Sequence, residues 1–164
     1  MNSVKQRVEG LSDISPPHEY VTDHGIVIES DLKRISGAGS QITVSADMTP
    51  GEQTLIEDAV QVTQPSGKEC FSNALNLWSY NHRLKYTEGY ASPSFRPDIV
   101  LEHAWVMLDG DKIVDPTAEF EHHYGVVLSS QEVLEQSAKL NIKSNGIICR
   151  QRNNDFLAEQ GYER

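Results

Sequence analysis

Lys68-Glu69-Cys70-Phe71-Ser72-Asn73-Ala74, Glu102-His103-Ala104-Trp105-Val106 and Asp115-Pro116-Thr117 are the segments on which the reading of this chain turns. A cysteine, a histidine and an aspartate follow one another in that order. They are the residue types that thiolate chemistry requires: a nucleophile, a base, and a group that orients the base. Each also has a bland reading. A free cysteine is most often a small buried hydrophobe, a mid-strand histidine is most often a hydrogen-bonded core residue, and Asp-Pro often simply ends a strand. The combination points to an acyl-transfer site of Cys70, His103 and Asp115.

The local patterns place these residues. Phe71, Ala74, Leu75 and Trp78 recur at helical spacing, which predicts a helix from about Cys70 to Asn81. Cys70 then sits at a helix N-terminus, where free amides and the macrodipole favour an anion. Ile99 to Leu108 and Asp111 to Asp115 read as a β-hairpin around Asp109-Gly110. Alternation puts His103 and Trp105 on one face of the strand and Glu102, Ala104 and Val106 on the other. A two-residue loop pairs Leu108 with Asp111 and sends Asp115 to the wrong face. A three-residue loop with Gly110 left-handed pairs Met107 with Asp111 and sets His103 opposite Asp115. The triad therefore requires the longer loop.

Working outward, Thr49-Pro50-Gly51-Glu52 reads as a capping box opening a helix that ends near Gln64, before Pro65. Ser129 with Glu132 makes a second capping box, for a helix reaching about Lys139. Tyr86–Ala91, Gln41–Val44 and Gly125–Leu128 read as strands. Tyr20-Val21-Thr22 and Gly25–Ile28 read as strand pieces joined by a turn at Asp23-His24-Gly25, Ser36–Ser40 as a flexible loop, and His122-His123 as an exposed polar turn. Asn145-Gly146, flanked by Ile142-Lys143 and Ile147–Arg150, gives a hairpin signal. Residues 1–19 show no clear periodicity beyond a short helix over Val4–Leu11. A short helix or frayed tail follows Asn153.

The chain has 164 residues and a formal net charge of −10. Its length suits one domain: an accessory region over 1–58, a catalytic core over 59–150, and a C-terminal tail over 151–164. So acidic a chain is poorly suited to nucleic-acid phosphates, so no nucleic-acid partner is expected. No apolar run is long enough to span a membrane and no secretory leader is visible, which predicts a cytoplasmic protein with no membrane partner. The two cysteines, Cys70 and Cys149, make no disulfide framework and read as reduced thiols. The absence of C-x-x-C or H-E-x-x-H spacing argues against a metal site, and no cofactor is expected.

Cys70, the Gly89-Tyr90 strand end, His103-Ala104-Trp105-Val106 and the hairpin into Asp115-Pro116-Thr117 together resemble the transglutaminase-like branch of the papain-like cysteine-enzyme superfamily. Tyr124-Gly125-Val126 with a following helix extends the likeness, which covers roughly residues 64–128. The resemblance implies an α+β fold in which a helix carrying the nucleophilic cysteine packs on a small antiparallel sheet. It implies that Cys70 is the nucleophile, His103 the base and Asp115 its orienter. It puts Gln64, six residues before the cysteine, at the oxyanion hole together with the Cys70 backbone N–H. Trp105 would wall the substrate site. The implied activity is acyl transfer at an amide of a protein, a peptide or a small molecule, by hydrolysis, deamidation or transamidation. The sequence departs from the family pattern at Lys68-Glu69, where many members carry glycine or an aromatic residue. A catalytically inactive module that recruits a protein partner is the alternative. Oligomeric state is not legible.

Overall fold

The computed structural model describes residues 3–117, 119–139, 142–149 and 155–162. In chain order the elements are α1 (Ser3–Gly10), α2 (Pro16–His24), β1 (Ile26–Val27), β2 (Leu32–Gly37), β3 (Ser40–Ser45), α3 (Pro50–Thr63) and α4 (Cys70–Tyr80). There follow β4 (Leu84–Pro93), β5 (Leu101–Leu108), β6 (Lys112–Asp115), β7 (Phe120–Val127), α5 (Ser130–Lys139), α6 (Ile142–Asn145) and α7 (Asp155–Glu159). The fold is α+β. Among the described residues one antiparallel sheet has the strand order β1-β7-β4-β5-β6-β3-β2.

The central strands are buried on both faces. Ala104, Val106, Leu108, Tyr86 and Val114 join the main core with the helices, and α4 contributes Phe71, Ala74, Leu75 and Leu77 to it. Trp105, Met107 and Ile113 form a smaller cluster on the other face, packed by Ile28, Leu32 and Val127. A strand covered on both sides must be apolar nearly throughout, and β5 shows this from His103 onward, where every residue is buried. The N-terminal region contributes β1, β2 and β3 to the same sheet. β1 pairs with β7 through Ile26↔Gly125, and β3 pairs with β6 through Thr43↔Asp115.

Both capping boxes form. Glu52 N–H donates to Thr49 Oγ1 at 3.2 Å while Thr49 N–H donates to Glu52 Oε1 at 2.9 Å. Ser129 and Glu132 repeat the exchange at 2.9 and 3.1 Å.

Four local expectations are corrected. Tyr20-Val21-Thr22 lies in α2, because Pro16 and Pro17 occupy the first helical positions after Ser15 and suit a helix start. The helix buries Tyr20 and Val21. Ser36–Ser40 is a tight hairpin, not a loose loop: Gly37 pairs with Ser40, and Ala38 and Gly39 turn the chain with φ of 50° and 78°. Those positive angles suit the twist of a two-residue hairpin. Asn145-Gly146 ends a helical turn instead of joining strands. Gly146 N–H donates to Ile142 O at 2.9 Å with φ of 68°, a left-handed helix ending. Arg150, the end of the expected strand there, lies outside the described residues. The fourth correction, at His123, belongs to the site.

Candidate active site

Cys70 opens α4, as its sequence pattern implies. The chain reaches it through a constrained turn: Gln64 and Lys68 take left-handed φ values of 48° and 66°, costly for non-glycine residues. Asn73, one turn into the helix, secures that turn. Its Nδ2 donates to Ser66 O at 2.7 Å and its Oδ1 accepts from Ser66 N–H at 3.0 Å. The same Nδ2 reaches Thr117 Oγ1 at 3.4 Å, so the first turn of α4 stands beside the strand end that carries Asp115.

The β5–β6 hairpin has the required parity but not the anticipated register. Leu108 pairs with Lys112 and Met107 with Ile113, leaving Asp109-Gly110-Asp111 as a three-residue loop with φ of 53° at Asp109 and 82° at Gly110. Extending that register sets Asp115 beside Trp105, two residues from His103 and on the same face. Diagonal cross-strand neighbours on one face remain within reach of a long side chain. The His103 imidazole leans across, and its Nε2–H donates to Asp115 Oδ2 at 2.7 Å.

His123 completes the cluster. The polar pair His122-His123 reads as an exposed turn in the sequence, yet His123 is fully buried in β7. Its Nε2–H donates to the same Asp115 Oδ2 at 2.8 Å. Two positions back along one face from Gly125, which opposes Gly89, alternation puts His123 on the face of His103. That period-two relation was the only sequence signal, and it requires β7 to start earlier than its apolar run. Thr117 N–H donates to Asp115 Oδ1 at 3.2 Å, so both carboxylate oxygens are engaged. Phe120 stacks on His103 at 3.9 Å between ring centroids, and Trp105 lies along it at 5.8 Å.

The electrostatics follow from this packing. Burial pulls the His103 pKa down, but the charge and hydrogen bond of Asp115, helped by the adjoining Cys70 thiol, outweigh it and raise the value to about 9. His103 is therefore an imidazolium at neutral pH. Burial pushes Asp115 up, yet the charge of His103 and the hydrogen bonds from both imidazoles hold it well below the usual carboxylate range. Burial lowers His123, against the pull of Asp115, and keeps it neutral. Of the four groups Cys70 is the most exposed, at 9%; His103 is at 1% and both others at 0%.

Gln64 ends α3 on the exposed side, and its amide donates to Gln61 O at 2.7 Å. Its side chain is thus engaged with its own helix and not with the thiol. Trp105 is fully buried, and its Nε1–H points at Met107 Sδ at 3.3 Å. It walls the imidazole from within and offers no surface to solvent. Cys149 sits in a different environment. Its S–H donates to Gly89 O at 3.4 Å, and burial beside Glu88 pushes its pKa well above the ordinary range.

Glu88, in the strand before Gly89, is a second buried carboxyl that the sequence did not disclose. Its Oε1 accepts from Tyr86 O–H at 2.6 Å and Ile147 N–H at 2.7 Å. Its Oε2 accepts from Ile148 N–H at 2.6 Å and Cys149 N–H at 2.7 Å. Burial pushes this carboxyl up, whereas four converging donors satisfy its ionised form. Glu88 anchors residues 147–149 over the sheet.

The ligand atoms of His103, Asp115 and His123 lie within 4.8 Å of one another, a spacing that a cation could bridge. Both imidazole nitrogens, however, already aim at one carboxylate oxygen at hydrogen-bonding distance. We read the cluster as a hydrogen-bonded network. No helix among the described residues is long and apolar enough to cross a membrane. Comparison of the chain with protein-family models, with curated proteins and with solved structures found no match.

Proposed function

We propose that the protein is a thiol-dependent acyl-transfer enzyme acting on an amide, with a papain-like, transglutaminase-like core. The observation that carries this reading is the 2.7 Å bond from buried His103 to Asp115 beside a cysteine that opens a helix. In the proposed cycle the Cys70 thiolate attacks the substrate carbonyl carbon, and the carbonyl electron pair moves onto oxygen. The backbone N–H of Cys70, at the first helical position, has no intrahelical acceptor and suits that oxyanion. The intermediate collapses, the C–N bond breaks, and the His103 imidazolium protonates the departing amine. A thioester on Cys70 remains. Neutral His103 then takes a proton from water or from a second amine as that nucleophile attacks, and Cys70 is released as thiolate. Water gives hydrolysis or deamidation, and an amine gives transamidation. Asp115 keeps the imidazole oriented throughout and is not itself protonated.

The substrate class is a protein, peptide or small amide. The cycle uses no cofactor. Two unpaired cysteines suit a reducing compartment, and we place the protein in the cytoplasm on that ground. The test is p-nitrophenyl acetate, an activated acyl donor. A burst of one equivalent of p-nitrophenolate, with an acetyl mass increment on Cys70, supports the reading. No burst, or acetylation shared evenly between Cys70 and Cys149, overturns it and leaves a partner-binding module as the better account.

A further inference from the structure

Asp115 Oδ2 accepts two imidazole protons, and the reading above uses only one. The second comes from His123, whose other ring nitrogen, Nδ1, is buried and without a hydrogen-bond partner. A neutral imidazole carries one proton. Where one nitrogen faces a carboxylate oxygen at 2.8 Å and the other faces none, that proton belongs on the first. The tautomer of His123 is thereby fixed as Nε2–H. Trp105, edge-on at 4.9 Å, and His103 at 5.9 Å pack the ring in place.

We propose that His123 is a positioning residue for the Cys70–His103–Asp115 site: by donating to the same oxygen that accepts from His103, it limits how strongly that carboxylate polarises the catalytic imidazole. An oxygen that already accepts one strong hydrogen bond is a weaker acceptor for a second. The proposal rests on the acyl-transfer reading for its meaning, but it is measured on a different atom. The titratable groups that bear on His103 are Asp115 from β6, Cys70 from α4 and His123 from β7. Those that bear on His123 are Asp115, His103 and its neighbour His122. Phe120 and Trp105 close the remaining ring contacts and carry no charge.

The experiment is a nitrogen-detected histidine titration of the full chain, wild type beside His123→Phe and His123→Gln. Phenylalanine fills the ring volume without a donor, whereas the glutamine amide can reach Oδ2 where Nε2 stood. The wild-type spectrum should show His123 unprotonated at Nδ1 across neutral pH. The His103 midpoint should rise by about one unit in His123→Phe, the scale of a lost charge-assisted hydrogen bond, and return toward the wild-type value in His123→Gln. An Nδ1–H tautomer in the wild type overturns the proposal whether or not the variants fold. So does a midpoint that stays fixed, falls, or shifts equally in both variants. The titration is blind to the reactivity of Cys70. An inert thiol would therefore sink the enzymatic reading and leave this measurement standing, and a fixed midpoint with a reactive thiol would do the reverse.

Discussion

Replacing Asp115 by asparagine keeps the shape of the buried network and removes its charge, which turns the His103 proton into a stability measurement. In the folded chain His103 titrates at about 9 against an ordinary value of 6.5, because the Asp115 charge and hydrogen bond overcome burial. A histidine whose pKa is raised by folding contributes stability that is complete below its unfolded value and is lost as pH rises through its folded value. The difference corresponds to about 3 kcal/mol at pH 6 and below. About 2 kcal/mol should remain at pH 7.5, and less than about 0.5 kcal/mol at pH 9. Both side chains are buried, so solvent screening does not reduce these figures much. The low pKa of Asp115 describes the other end of the same interaction and is not added. The assay is urea unfolding of both proteins at half-unit steps from pH 6 to 9.5. Glu88, Cys149 and the buried tyrosines titrate in both proteins and cancel in the difference. The wild-type advantage should shrink by at least about 3 kcal/mol across that window, because burial without the Asp115 charge lowers the His103 pKa in the variant. An advantage independent of pH would show that His103 carries no proton at neutral pH, and the imidazolium in the proposed cycle would be withdrawn.

Other expectations can be checked on the same preparations. A Cβ on Gly146 would lie 2.6 Å from both Glu88 Oε1 and Phe71 Cε1 at a φ of 68°, so Gly146→Ala should cost roughly 2–3 kcal/mol in urea unfolding. Glu88→Gln turns an amide donor toward backbone N–H groups and should cost roughly 2–4 kcal/mol. Hydrogen exchange should then show the amides of Ile147, Ile148 and Cys149 losing protection before those of β4 and β5. Thr49→Ala removes one half of the capping box on α3 and should cost about 1 kcal/mol, with no change in the reactivity of Cys70.

The parts legible in the sequence were those written in local chemistry. Thr49 and Glu52, Ser129 and Glu132, and the apolar stripe after Cys70 each name their element without outside help, and the structure forms all three. Parity in the β5–β6 hairpin was also legible, since side-chain alternation admits only two outcomes. Its register was not: a two-residue shift preserves the face, so alternation alone does not choose between the alternatives. The misses share a cause. His123 and Glu88 are polar residues in strands covered on both faces, and in a single sequence such residues look like solvent contacts. Their burial depends on partners that are 8 residues away for His123 and about 60 for Glu88. Tyr20-Val21-Thr22 has strand composition, but the proline start and the neighbouring core decided for a helix.

The central claim is that Cys70 is a nucleophile tuned by His103, and competitive alkylation tests it most directly. Wild type, His103→Ala and Asp115→Asn are treated with limiting iodoacetamide at pH 7, and carbamidomethylation at Cys70 and Cys149 is followed by mass spectrometry. The account predicts rapid modification of Cys70 in the wild type, a rate at least about tenfold lower in His103→Ala, an intermediate rate in Asp115→Asn, and an unreactive Cys149 in all three. Equal, slow modification of both cysteines that is indifferent to His103 would contradict it.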